Sequence, residues 1–204
     1  AILTNSSFMG IPILNAYMGE SAMPYVLVYD QLGTFIALAT YGTFIASYYS
    51  NKNKLTFKII TLKVLTFPPF LSLVVALFLM GVEFHPVISK VLSSFASTIV
   101  PIALVAVGLQ LQFKLPREDI KPFSFALIIK LIIAPVIAII ICKIFGWNNQ
   151  ASIVSIMEAG MAPMITAGAI ASMAGLAPRL SSAIVGYGVL ISFITTAILF
   201  KLIN

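Results

Sequence analysis

The sequence predicts an all-α fold, a polytopic bundle of membrane-spanning helices, on three observations. The 204 residues are 60% hydrophobic and only 9% charged, with a mean hydropathy of +1.09, more apolar surface than one water-soluble core can take in. Apolar runs repeatedly reach the roughly 20 residues that a spanning helix needs, separated by short polar breaks. Runs such as 128–141 lack the alternation of apolar and polar residues that marks a barrel strand. Backbone in lipid has to pair within its own segment, which leaves helices.

Reading the runs between turn signals gives about seven segments, at 1–18, 24–48, 57–80, 86–111, 120–145, 150–174 and 181–202. The joining stretches, such as Asn51-Lys52-Asn53-Lys54, Lys114-Leu115-Pro116-Arg117-Glu118-Asp119 and Gly146-Trp147-Asn148-Asn149, read as membrane-edge turns rather than domains. If the segments alternate in direction, one face receives Lys52, Lys54, Lys58, Lys114, Arg117, Lys121 and Arg179, the other only Lys90, Lys143 and Lys201. The positive-inside bias then puts the richer face in the cytoplasm. On that reading the loop after the second segment is cytoplasmic, the C-terminus is outside and Trp147 sits at the outer interface. The net charge of +6 is thus a topology signal. It is not a nucleic-acid footprint, because the Lys and Arg are not interleaved with aromatics on one basic face.

Chemistry that is missing narrows the function. Cys142 is a lone cysteine in an apolar run, expected to be packing, and offers neither a disulfide framework nor a metal cluster. His85 stands alone in an outer loop, where it is expected to be solvated. There is no Gly-rich phosphate loop with Lys-Ser/Thr and no nucleophile motif with a base. Neither an enzyme, an ATP-driven pump nor a cofactor is expected, and any energy has to come from gradients. The first ten residues lack a basic n-region and an initiator Met, so the chain is expected to be truncated at its start.

Two segments contain what a lipid-facing helix avoids: Asn5-Ser6-Ser7-Phe8-Met9-Gly10-Ile11-Pro12 in the first and Glu158-Ala159-Gly160-Met161-Ala162-Pro163 in the sixth. Proline removes a donor and crowds the preceding turn, and a nearby glycine lets the chain leave helical geometry, so main-chain groups come free. At membrane depth those groups need protein, water, ion or substrate. A kink or close packing is the plainer reading of any one such break. Each break is followed by small residues, a short turn and a further helix opening near a proline, Pro24 or Pro178. The two lie five segments apart and so run in opposite directions, the pattern of an inverted repeat, in which paired interrupted helices point to a transport site near the midplane. Half-helix N-termini there suit a carboxylate.

These residues resemble a known family. The stretch from Asn5 to Pro12, with Tyr17-Met18-Gly19 after it, resembles the fourth helix of the auxin efflux carrier family, and 25–30 the start of its fifth. Pro101-Ile102-Ala103-Leu104-Val105-Ala106-Val107-Gly108-Leu109 is similar to the seventh, Lys130-Leu131-Ile132-Ile133-Ala134-Pro135 to the eighth and 158–175 to the ninth. The resemblance implies a ten-helix carrier of two inverted five-helix repeats, whose fourth and ninth helices cross at the substrate site. It also implies that about seven helices are present here and the first three absent. Bacterial members are linked to malate, malonate and similar carboxylates, and plant members export auxin. The short Lys-rich loop near Lys52 favours a bacterial-type member. Many of those carry Asn a few residues after the ninth-helix proline, whereas Met164, Ile165 and Thr166 follow Pro163 here, so Thr166 becomes the substitute ligand candidate.

Ionisable groups inside a span are functional candidates by default, and four qualify: Asp30, Lys63, Lys130 and Glu158. Lys63 lies near the cytoplasmic end and can snorkel as an anchor. Asp30, about two turns below the outer end, is balanced between a water-reached vestibule group and a coupling site. Lys130 and Glu158 both count to near the midplane, so a salt bridge is expected, either structural or a gate for a proton or anion. Where related sequences often carry Gln, this chain has Glu158, which makes it the better candidate for proton coupling.

The expectation is therefore a secondary carrier for small organic anions working by alternating access. It would comprise the last two helices of a first repeat (1–49), a cytoplasmic loop (50–56) and a second repeat (57–204). Asn5, Gly10, Pro12, Gly160, Pro163 and Thr166 form or shape the substrate site; Glu158, Lys130 and Asp30 are the coupling or intramembrane charges; no metal site is expected. Expected partners are a small organic anion, membrane lipid and a coupling proton or sodium ion, with a homodimer as a candidate assembly and no nucleic acid. The expected location is the plasma membrane. The rivals are a transport-inactive sensor on the same scaffold and an anion channel.

Overall fold

In the computed structural model, residues 2–49, 68–98, 101, 102, 105, 109 and 117–203 are described, and every regular element among them is helical. A π-helical stretch, Ser6–Gly10, leads into α1 (Ile11–Met18). Then come α2 (Glu20–Ala46), α3 (Pro68–Phe78), α4 (Pro86–Ser97), α5 (Arg117–Ile144), α6 (Gln150–Ala159), α7 (Ile165–Met173) and α8 (Pro178–Ile203). Proline opens α4 and α8, where its missing N–H costs nothing and its fixed φ suits the first turn. His85, assigned to a solvated loop, is exposed and also caps α4, accepting from the Val87 amide at 3.4 Å.

Among the described residues, α2, α5 and α8 are the helices long and apolar enough to cross a membrane, at 27, 28 and 26 residues. Each is about 40 Å long at 1.5 Å per residue, against a hydrocarbon core of about 30 Å. On α5 the residues Ile133, Val136, Ile137, Ile140 and Ile144 are all exposed, as are Ile191, Ile194, Ile198 and Leu202 on α8. Their three- and four-residue spacing makes one apolar stripe per helix, the face a bundle turns to lipid. The opposite faces close around Met9, Leu14, Val26, Met157, Met161 and Val189. α6 packs on the C-terminal half of α5 and α7 on α8.

The segments expected at 24–48, 120–145 and 181–202 are recovered within a few residues. Of those at 57–80 and 86–111, α3 and α4 lie among the described residues, and much of the rest of both, with Lys63, the 50–56 loop and most of the Pro101–Leu109 motif, lies outside them. The 150–174 segment is two helices separated by 160–164, as the Gly160 and Pro163 pair predicts. In the first segment the interruption is displaced: Gly10 and Pro12 are helical, and the non-helical backbone lies at 2–5. The reason is steric. The ring of Pro12 would strike the carbonyl four residues back, and the wider π turn at Ser6–Gly10 accommodates it without ending the helix. Pro135 follows the π stretch Ile129–Ile133 in the same way.

Candidate functional site

The two interruptions meet each other. Thr4 and Pro163 form an isolated antiparallel bridge, flanked by hydrogen bonds from the Asn5 amide to the Ala162 carbonyl and from the Met164 amide to the Leu3 carbonyl, both 2.9 Å. Main-chain groups that each break sets free are thus partly paired with those of the other, as burial demands. Thr4 Oγ1 adds a bond of 2.6 Å to the Glu158 carbonyl. From this crossing two helices start, at Ser6 and at Ile165, and neither has a side-chain cap bond. Their first-turn amides have no partner within the helix, so two positive dipole ends flank the crossing.

Around it the buried polar side chains fall into a satisfied and an unsatisfied set. Asp30 is satisfied: it accepts from Ser6 Oγ at 2.5 Å, Ser7 Oγ at 2.6 Å and Gln31 Nε2 at 2.7 Å. It is 3% exposed, so the water-reached vestibule is corrected to a sealed cluster; the π stretch Tyr29–Phe35 sets Asp30 beside the serines of Ser6–Gly10. Unsatisfied are Asn5 Nδ2, Gln31 Oε1 and both carboxyl oxygens of Glu158. Asn5 is 1% and Glu158 0% exposed.

Lys130 does not make the expected salt bridge. Its Nζ donates 2.7 Å to the carbonyl of Ala159, the last residue of α6, where helix carbonyls lack partners and a cation meets the negative dipole end. The Glu158 carboxyl turns away to lie against Gly10, where a Cβ would overlap its Oε1. Glycine at position 10 is thus a matter of space, its backbone being ordinary right-handed helix.

Of the expected site residues, Asn5, Pro163 and Glu158 come together at the crossing, with Gly10 against Glu158. Pro12 is buried in the first turn of α1, and Gly160, the residue after α6, would press a Cβ on Leu199 Cδ2 at 2.8 Å. Thr166 is exposed on α7 and is not among the buried polar groups. Sequence reasoning gave no role to Thr4, Ser6, Ser7 or Gln31. The signal that could have found the first three is their place in one polar run, Thr4-Asn5-Ser6-Ser7, inside an apolar segment. Gly188 was missed as well: its Cβ would meet Pro163 Cδ at 2.7 Å. Among the described residues no three of His, Cys, Asp and Glu come together to hold a metal.

Apolar-faced helices closing around crossed interruptions define a multi-pass helical membrane protein. The chain belongs to the membrane transport protein family, the family of the auxin efflux carriers, whose profile matches residues 1–200. It is similar to a protein described as an uncharacterized transporter from Methanothermobacter thermautotrophicus, at 23% identity over 177 residues, 84% of this chain and 55% of that protein. The chain thus spans about half the length of that relative.

Proposed function

We propose that the protein is a secondary carrier for small organic anions, with the substrate carboxylate held where the two interrupted segments cross. The observation that carries this reading is the pairing of Thr4 with Pro163, which brings two uncapped helix N-termini beside the unpartnered amide of Asn5. Main-chain amides and dipole ends attract negative charge without contributing a competing cation, and the Asn5 Nδ2 adds a side-chain donor. Pro12 and Pro163 shape the breaks, Gly10 and Gly160 supply close approach, and Thr166 at the exposed start of α7 is a further substrate contact.

Glu158 is the coupling residue of the proposal. A buried carboxyl with no donor needs a proton of its own or a cation brought by something else, which ties its state to that of the neighbouring anion site; Lys130 and Asp30 set the field around it. Transport proceeds by alternating access in a ten-helix scaffold of two inverted repeats, with the loop around Lys52 cytoplasmic and the C-terminus outside. The test is counterflow in proteoliposomes of the full-length protein with malate and malonate as probes. Trans-stimulated exchange, lost in Asn5→Ala and Pro163→Ala while membrane insertion persists, supports the carrier. Flux without trans-stimulation makes it a channel, and no flux a sensor.

A further inference from the structure

Hydrogen bonding at the crossing does not balance. Among the described residues, the buried side-chain atoms without a partner are three acceptors, Gln31 Oε1 and both carboxyl oxygens of Glu158, against one donor, Asn5 Nδ2. All belong to residues that are at least nine-tenths buried. Lys130 does not correct the excess of acceptors, since its Nζ donates to the Ala159 carbonyl. Nor do the donors around Asp30, which are two hydroxyls and an amide and so bring no charge.

Two carboxyl groups meet one π turn. Glu158 Oε1 stands where a Cβ of Gly10 would fall, and Asp30 Oδ1 accepts from Ser6 Oγ, at the other end of Ser6–Gly10. Residues four apart on a helical turn share a face, about 5–6 Å from each other. Oxygens on opposite sides of a calcium-sized ion are about 5 Å apart, so the turn offers two acids at about the spacing that one such ion bridges. The Gln31 amide, whose Nε2 is 2.7 Å from Asp30 Oδ2, holds its unpaired Oε1 beside Asp30. The Ser6 and Ser7 oxygens keep lone pairs after donating.

Charge and ligand type select the occupant. Protonation of Glu158 removes its charge but leaves a buried O–H donor and an acceptor oxygen without partners, whereas a cation satisfies both oxygens together. An all-oxygen set suits a hard cation. Asp30 already spreads its charge over three hydrogen bonds, so the uncompensated charge is the single unit of Glu158, which matches a monovalent ion. No third acid joins the two among the described residues.

We propose that the space between the Glu158 carboxyl, the Ser6–Gly10 turn and the Asp30–Gln31 pair binds a sodium ion, ligated by Glu158, Gln31 Oε1 and the Ser6 or Ser7 oxygens. This specifies the cation in the coupling role proposed for Glu158 and rests on that reading. Asn5, the proposed carboxylate donor, is the residue before the turn, so the anion and cation sites adjoin and each ion strengthens the binding of the other.

The test is binding of radioactive sodium to the purified full-length protein in choline chloride, read by scintillation proximity, which needs no transport. Saturable binding is expected, displaced at least ten-fold less readily by potassium, a larger ion, than by unlabelled sodium. Glu158→Gln should weaken it at least ten-fold, and so should Gln31→Met, which removes the amide oxygen and keeps the chain length. Gly10→Ala deletes no oxygen yet should weaken it too, because the added methyl displaces the carboxyl. No saturable binding, equal displacement by potassium, or affinity unchanged in whichever of Glu158→Gln and Gln31→Met elutes as a monodisperse peak overturns the site. Absence of counterflow with sodium binding intact overturns the carrier reading instead, and counterflow without sodium binding removes the ion while leaving the carrier.

Discussion

The carboxyl of Glu158 lies against the backbone of Gly10, so close that any side chain at position 10 would overlap it. The two residues are far apart in the chain and are brought together by the hydrogen bonds that link Leu3 and Asn5 to the 162–164 stretch. A buried acid held in a space made by a missing Cβ is a tight fit at the junction of both interrupted segments, and interiors tolerate little added volume.

Gly10→Ala should therefore be costly out of proportion to one methyl group. Overpacking typically costs about 1–3 kcal/mol, and the Glu158 carboxyl that has to give way is itself fully buried. Thermal unfolding in detergent, followed by Trp147 fluorescence, should show a lowered Tm for Gly10→Ala. The pair Gly10→Ala with Glu158→Ala should lose less than the sum of the single changes, since removing the carboxyl makes room. Strict additivity would contradict the close approach.

Lys130 bonds to main chain, and that separates two outcomes. Were its partner the Glu158 carboxylate, the cost of Lys130→Met would vanish in a Glu158→Gln background. Because the Nζ caps the end of α6 through Ala159, the loss should persist in that background, at about 1–3 kcal/mol for a buried group left unpaired. A double-mutant cycle on unfolding midpoints checks this.

Asp30→Asn should destabilise more than Ser7→Ala. The carboxylate accepts three bonds, from Ser6, Ser7 and Gln31, and hydrogen bonds to a charged group are worth about 1.5–3 kcal/mol each. An asparagine keeps one acceptor oxygen and turns an NH₂ toward a donor, whereas Ser7→Ala leaves two bonds in place. Equal unfolding midpoints for the two variants would mean that Asp30 is solvated after all.

The membrane class and the break at 160–164 were legible because they are chemical statements in the chain itself, long apolar runs and Gly160 with Pro163 where a span should be uninterrupted, whereas Gly10 and Pro12 pointed to the first break only to within a few residues. What was not legible depends on a few ångströms of main-chain geometry. A count of 1.5 Å per residue put Lys130 and Glu158 at one depth, and they are neighbours, but the count carries no direction around the helix axis. The π stretches at Ser6–Gly10, Tyr29–Phe35 and Ile129–Ile133 each shift that direction and carry Ser6 and Ser7, Asp30 and Lys130. Pro12 signalled one of them as a disturbance, without saying that the helix would widen rather than break. Asp30 was left between a vestibule group and a coupling site for the same reason, its serine partners coming from another segment.

Gly188 offers the sharpest test of whether the crossing governs transport, because it touches the crossing without being polar. A Cβ there would sit 2.7 Å from Pro163 Cδ and 3.2 Å from Leu127 Cδ2. The proline ring cannot rotate aside, and it is held on its other side by the bridge to Thr4. α8 is 26 residues long and one alanine favours helix over glycine, so insertion and helix content should be preserved or improved. The strain then falls on 162–164, whose bonds to Leu3 and Asn5 position both helix N-termini. Gly188→Ala should reduce exchange of a carboxylate substrate at least ten-fold at unchanged membrane abundance, and Gly33→Ala on α2, where an added Cβ meets nothing within 4 Å, should leave it within two-fold. If Gly188→Ala transported normally, the position of Pro163 would not be what sets the site.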